Sequence, residues 1–187
     1  SGITALQTSM PPMPLADVLK PIQLAPEMMP SFFSADTFLL FAAFVVYAGL
    51  YNIVAEASRL LASLGLGVGL LAVLLDFIEN GMLVVYGQQS IVGANTVSPA
   101  LPFLFVVANL KMIFSYSAFI IFGVGWPRDR AAGWIVSILM LMYPVLGGLG
   151  MTAPAMQNIG GVLLLLIAMS LIWYFAGERK CIPQPAG

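Results

Sequence analysis

The chain has 187 residues, of which 60% are hydrophobic and 8% are charged, and its mean hydropathy is +0.99. A soluble domain needs a charged surface and does not reach these values, so the composition predicts an integral membrane protein. The formal net charge of −1, without a cluster of Lys or Arg, argues against a nucleic-acid partner.

The side chains that most often bind metals are scarce. The sequence contains no His and one Cys, Cys181, which cannot form a disulfide within the chain. His is the usual protein ligand of haem, copper, zinc and non-haem iron, and the usual acid–base group at neutral pH. We therefore expect neither a metal nor another cofactor.

The first 35 residues are rich in Pro and Met. Prolines at positions 11, 12, 14, 21, 26 and 30 interrupt any long helix. We predict that residues 1–35 form an arm on the outer side of the membrane. Its short apolar pieces lie either along the membrane surface or on a partner subunit, or the arm is a poorly ordered terminus.

Five hydrophobic segments are long enough to cross about 30 Å of hydrocarbon, which takes about 20 helical residues. They cover residues 36–57, 60–86, 99–125, 131–150 and 159–177. The sequence therefore predicts an all-α, polytopic fold with a five-helix transmembrane bundle over residues 36–177. A short cytoplasmic tail, 178–187, follows the bundle.

The basic residues near the helix ends give the orientation. In a five-helix arrangement they fall on one side, while the connections 87–98 and 151–158 carry no charge. The positive-inside rule makes that side cytoplasmic, so the N-terminus is predicted outside and the C-terminus inside. A sixth helix would remove this agreement. The residues concerned are Arg59, Arg128, Arg130, Arg179 and Lys180.

The second predicted helix carries Asp76, Glu79 and Asn80 in the middle of an apolar segment. At 3.6 residues per turn, these polar residues share a face with Gly65 and Gly69. Glycines let another helix approach closely. We predict that this face contacts protein rather than lipid.

The third predicted helix supplies a partner for the acids. A charge at membrane depth costs at least about 2.5–3.5 kcal/mol on insertion scales. Asp76 and Lys111 lie about 15 and 16 Å from the outer ends of their antiparallel helices, so we predict an ion pair between them. Because one ammonium cannot balance two carboxylates, Glu79 is expected to be a neutral acid or to face water. Asn109 and Ser115 complete the predicted polar centre.

The fourth predicted helix contains Pro144, Gly147 and Gly148 in its outer half. Proline removes a backbone hydrogen bond, so this half is predicted to bend or unwind. The sequence leaves two interpretations open. One is a kink that serves helix packing, and the other is a broken helix that lines a cavity with polar residues from the 151–158 connection.

The run Asp76-Phe-Ile-Glu79-Asn80, followed by a helix that bears Lys111, resembles a pattern in several uncharacterised bacterial multi-span membrane families. In those families a D-x-[IL]-E-N helix precedes a Lys-bearing helix. The resemblance covers the second and third helices. It implies a protein of the bacterial inner membrane and assigns no activity.

The polar centre allows three interpretations: a polar contact that orients two helices, a site for protons, ions or a ligand, or a contact with a lipid head group. Because no catalytic constellation is evident, the sequence favours a non-catalytic subunit or scaffold that packs against other membrane subunits or forms a homo-oligomer. The alternative is a small transporter or channel for protons, ions or a small apolar ligand. A lipid-modifying enzyme is less well supported, since no His or nucleophile motif accompanies the carboxyls.

Overall fold

A computed structural model of the chain describes residues 29–91, 101–152 and 159–179. Every regular element in these ranges is an α-helix, which confirms the all-α prediction. Residues 1–28 of the predicted arm and residues 180–187 of the predicted tail lie outside the described residues. The helices are α1 (Met29–Ala57), α2 (Arg59–Ile91), α3 (Leu101–Gly125), α4 (Ala131–Thr152) and α5 (Ile159–Arg179).

Within the described residues, four segments are long and apolar enough to cross a membrane: Ala35–Ala57, Arg59–Gln89, Pro102–Gly125 and Ala131–Leu149. The apolar part of α5, Gly161–Ala176, is shorter. The whole of α5 has 21 residues. At the helical rise of 1.5 Å per residue, that is about 31 Å, which equals the thickness of the hydrocarbon layer. These lengths fit a helical membrane protein.

The first helix begins earlier than the sequence indicates. α1 starts at Met29, ahead of the predicted boundary at 36. Pro30 is the second residue of the helix, where a missing N–H leaves no hydrogen bond unmade. Pro30, the last proline of the predicted arm, therefore lies in the first turn of α1. Asp36 lies inside α1.

A single residue, Ser58, separates α1 from α2. The Ser58 N–H donates to the carbonyl oxygen of Val54 (2.8 Å), which closes the last turn of α1. The Leu61 N–H donates to Ser58 Oγ (3.4 Å), so the same residue caps the start of α2. This short connection makes α1 and α2 antiparallel neighbours.

Helix α2 packs between α1 and α3, and α4 packs against α3 and α5. We call the end of the bundle where α1, α3 and α5 finish the basic end, since Arg59, Arg128, Arg130 and Arg179 are found there, and we call the other end the far end. An apolar core of buried side chains joins all five helices, mostly in the half nearer the basic end. It comprises Tyr47, Leu50, Val54, Ala62, Ala118, Phe119, Phe122, Trp126, Ala132, Val136, Met140, Tyr143, Leu163, Ile167 and Tyr174.

Three glycines mark close contacts between helices. A Cβ on Gly69 would lie 2.8 Å from the Tyr47 ring, and one on Gly65 would lie 2.9 Å from the Phe122 ring. A Cβ on Gly147 would lie 2.6 Å from the Tyr116 hydroxyl. The absence of a side chain at these positions lets α1, α3 and α4 approach their neighbours.

Gly148 and Pro144, the other residues of α4 that the sequence indicates for helix packing, differ from Gly147. Nothing lies within 4 Å of a Cβ built on Gly148, so this residue marks no close contact. Helix α4 stays α-helical through Pro144 as far as Thr152. The broken-helix alternative therefore finds no support in α4, and the rest of the 151–158 connection lies outside the described residues.

Candidate functional site

The polar residues of α2 lie near the middle of a 33-residue helix. Along the helix axis, Asp76 lies about 26 Å from Arg59 and about 22 Å from Ile91. Asn80 is buried, and Asp76 and Glu79 are half-buried. This depth puts the carboxyls far from either end of the helix.

Lys111 of α3 contacts both acids of α2. Its Nζ donates a hydrogen bond to Asp76 Oδ1 (2.9 Å) and lies 2.5 Å from Glu79 Oε2. The side chains of Lys111, Asp76 and Glu79 remain 22%, 26% and 17% exposed. The matched depth of Asp76 and Lys111 along antiparallel helices therefore corresponds to a contact.

Glu79 contacts the same ammonium group as Asp76. Its Oε2 is buried and makes an ion pair with Lys111. Both carboxyls thus flank one ammonium group. The contacts contradict a water-facing Glu79, and the expectation of a neutral Glu79 stays a prediction.

Asn80 links α2 to α1. Its Nδ2 donates to Asp36 Oδ2 at 2.5 Å. Sequence reasoning missed Asp36, because the residue fell at the predicted start of the first helix. The register of α1 on α2 follows from a contact that only the structure shows: the interval from Asp36 forward to Tyr47 in α1 equals the interval from Asn80 back to Gly69, the partner of Tyr47, in α2.

Ser115 links α3 to α1 rather than to the acids. Its Oγ shares a hydrogen bond of 3.3 Å with the Tyr47 hydroxyl. Ser115 lies one helical turn from Lys111 on the side of the basic end. The polar centre of the structure therefore comprises Asp36, Tyr47, Asp76, Glu79, Asn80, Lys111 and Ser115, and it joins α1, α2 and α3.

Asn109 does not belong to this centre. It is exposed, and its Nδ2 donates to the carbonyl oxygen of Phe105 in the preceding turn of α3 (2.7 Å). Asn109 and Lys111 are two residues apart, and at about 100° per residue they point some 200° apart around the helix. One face of α3 cannot hold both side chains, so including Asn109 in the centre was wrong.

The composition of the polar centre limits its chemistry. It contains three carboxyl groups, on Asp36, Asp76 and Glu79, and one amine, on Lys111. Among the described residues, no group of three or more His, Cys, Asp or Glu side chains is arranged to hold a metal ion. The centre can tie helices together, and its carboxyls can exchange protons, but it offers no nucleophile activated by a neighbouring base.

A second polar cluster closes the basic end. Arg128 donates from Nη2 to the carbonyl oxygens of Gly123 (3.1 Å) and Val124 (3.3 Å), and from Nε to Ser137 Oγ (3.1 Å). These bonds satisfy carbonyls at the end of α3, which have no partner within the helix. The guanidinium also lies 5.2 Å from the centre of the Trp134 ring. Arg128 therefore fixes the turn between α3 and α4.

No protein-family model matches this chain, and no curated protein or solved structure does.

Proposed function

We propose that the protein crosses the membrane five times, with the N-terminus outside and the C-terminus inside. Tyr174 of α5 packs against Trp126 (ring centres 5.3 Å apart) and lies under the Arg130 guanidinium (4.3 Å), both just beyond the end of α3. Leu163, near the other end of α5, also belongs to the apolar core. Helix α5 thus extends over much of the depth that α3 and α4 cover, which supports a fifth span.

Cys181 tests this orientation, because it is the one thiol of the chain and follows α5 closely. A membrane-impermeant thiol reagent applied to intact bacterial cells should leave Cys181 unlabelled until the cells are permeabilised. Equal labelling before and after permeabilisation would overturn the orientation. A bacterial inner membrane is the location that the resemblance of α2 and α3 implies.

Within that membrane the protein acts as a non-catalytic subunit or scaffold that associates with other membrane-spanning helices. The observation that carries this proposal is Asn109, an exposed amide about 12 Å inside the far end of α3. Facing lipid, an amide gives up hydrogen bonds, whereas a neighbouring transmembrane helix can restore them for about 0.6–2 kcal/mol. A protein partner at this face explains why a polar side chain is found there.

Co-purification tests the scaffold proposal. The protein, extracted from its membrane in a mild detergent, should elute in a complex larger than one chain. Asn109→Leu should shift it toward the monomer, and Asn52→Leu, which replaces an exposed amide near the end of α1, should not. A wild-type protein that elutes only as a stable monomer would overturn the proposal.

A second candidate function rests on the excess of acid in the polar centre. Two carboxyls flank one ammonium, and a third, on Asp36, accepts a bond from Asn80, so the centre stays balanced in a low dielectric only if protons or a cation supply the missing positive charge. This favours a carrier of protons or small cations as the alternative. Flux into liposomes should then fall in Glu79→Gln, and equal flux in the variant and the wild type would remove this alternative.

A further inference from the structure

Exposed apolar side chains recur at regular intervals along one face of α3. The exposed residues follow one another at intervals of three and four positions, with the half-buried Ser117 completing the series. Alternating intervals of three and four are the pattern that two helices need to pack side by side with a left-handed crossing. We call this surface the α3 seam, and its exposed members are Phe103, Val106, Leu110, Ile113, Ile120 and Val124.

Asn109 lies at the edge of the α3 seam and still has bonding capacity. One of its two N–H groups donates to the Phe105 carbonyl oxygen, and the described residues provide no partner for the other N–H or for Oδ1. The other exposed amides of the described helices, Asn52, Gln88 and Gln89, lie within about 8 Å of a helix end, where head groups and water can reach them. Asn109 is the deepest of these amides.

We infer that the α3 seam pairs with the α3 seam of a second copy of this chain, with Asn109 bonded to its counterpart. This inference rests on the proposed function and names the partner. A carboxamide is both donor and acceptor, so it complements itself. A two-fold axis along the membrane normal puts the same residue of both copies at the same depth, so the partner amide is supplied by symmetry.

Disulfide cross-linking in the native membrane tests the pairing. In a Cys181→Ser background, Ile113→Cys places one thiol on the seam, and Met169→Cys places one on the outer face of α5. The two positions are matched, since Ile113 is 56% and Met169 59% exposed, about 18 and 15 Å from the far end. Mild oxidation should yield a species of twice the monomer mass with Ile113→Cys and little of it with Met169→Cys.

Asn109 is then replaced by Leu in the Ile113→Cys protein. An interhelical amide bond of about 0.6–1.7 kcal/mol corresponds to a roughly three- to twenty-fold loss in dimer association. A yield that does not change would overturn the role of the amide. Equal dimer yields at Ile113 and Met169 would overturn the assignment of the face.

The remaining outcomes separate this inference from the function on which it rests. Cross-linking of Ile113→Cys to a different protein would overturn the second copy as partner and would leave the scaffold proposal standing. A protein that forms no cross-link at the α3 seam and elutes as a monomer would overturn both.

Discussion

The two halves of the α1–α3 bundle are held together in different ways. Toward the basic end, Leu50, Val54 and Phe122 are almost fully buried, and the contacts depend on shape. Toward the far end, the same helices meet through Asp76 and Lys111, whose side chains stay partly exposed, and the contacts depend on charge. One set of helices can thus be aligned by the packing of side chains in one half and by ion pairing in the other.

The two halves agree on one register, which is why they reinforce each other. The interval from Gly65 to Asp76 in α2 equals the interval from Lys111 to Phe122, the contact of Gly65, in α3. A slip of one helical turn, about 5.4 Å, would separate Asp76 from Lys111 in either direction. In one direction it would also bring Leu61 against Phe122 in place of Gly65, whereas in the other direction Gly69 would take that place. The ion pair therefore opposes the slip that the glycine contact alone would allow.

The largest effect is expected at the charged contact. Lys111→Met leaves two carboxyls without their counter-charge and should lower the free energy of unfolding by about 3–5 kcal/mol, the cost of breaking a buried ion pair from one side. The triple variant Lys111→Met, Asp76→Leu and Glu79→Met should recover most of the lost stability, because no buried charge remains. Equilibrium unfolding in mixed detergent micelles measures both.

The free energy of unfolding of the double variant Lys111→Met, Asp76→Leu should lie between those of the single and triple variants, because Glu79 still lacks its partner. If the single and triple variants unfold at the same detergent composition, the three side chains do not depend on one another. The charge-based half of the comparison would then be wrong.

The next largest effect on stability is expected in the half near the basic end, where the helix contacts depend on the packing of apolar side chains. Met140 is fully buried in the apolar core, and Met140→Ala should cost about 2–5 kcal/mol through the lost contacts and the cavity that remains. Met142, two residues further along α4, is 40% exposed, and Met142→Ala is the matched control with little expected change. Similar losses in both variants, measured by the same unfolding assay, would show that α4 is not packed as described.

A smaller effect is expected where the two halves meet. Gly69→Ala puts a Cβ 2.8–2.9 Å from three atoms of the Tyr47 ring, and the resulting shift of α1 should cost about 1–3 kcal/mol. Gly67→Ala is the control, since nothing lies within 4 Å of its Cβ. An alanine at 69 that is tolerated as well as one at 67 would mean that α1 and α2 are further apart than this contact requires.

The sequence predicted the parts of the fold that depend on composition and depth. Hydropathy located five helices, and the rise per residue brought Asp76 and Lys111 to the same level. Helical periodicity also excludes Asn109 from the face of Lys111, although it was assigned to the polar centre. Residues two apart lie on nearly opposite sides of a helix, so the sequence itself carries the signal against that assignment.

The remaining contacts depend on the register of one helix along another, and hydropathy carries no information about that register. Sliding α1 along α2 by one turn leaves every hydrophobic segment as long as before, so the Asp36–Asn80 bond was not predictable from segment lengths. The contact of Tyr47 with Gly69 fixes that register in three dimensions. Which of the two acids lies nearer Lys111 is decided by side-chain conformations, and the sequence carries no signal for them.

The smallest expected effect lies at the boundary between the polar centre and the apolar core. The Tyr47 hydroxyl and Ser115 Oγ share a bond of 3.3 Å, long for two hydroxyl groups, and interhelical hydrogen bonds in membranes average about 0.6 kcal/mol. Ser115→Ala should cost about that much. Tyr47→Phe should cost about the same, since the ring keeps its contacts with Phe119 and Phe122. The double variant should then lose no more than either single change, and losses that add would show that the two hydroxyls do not interact.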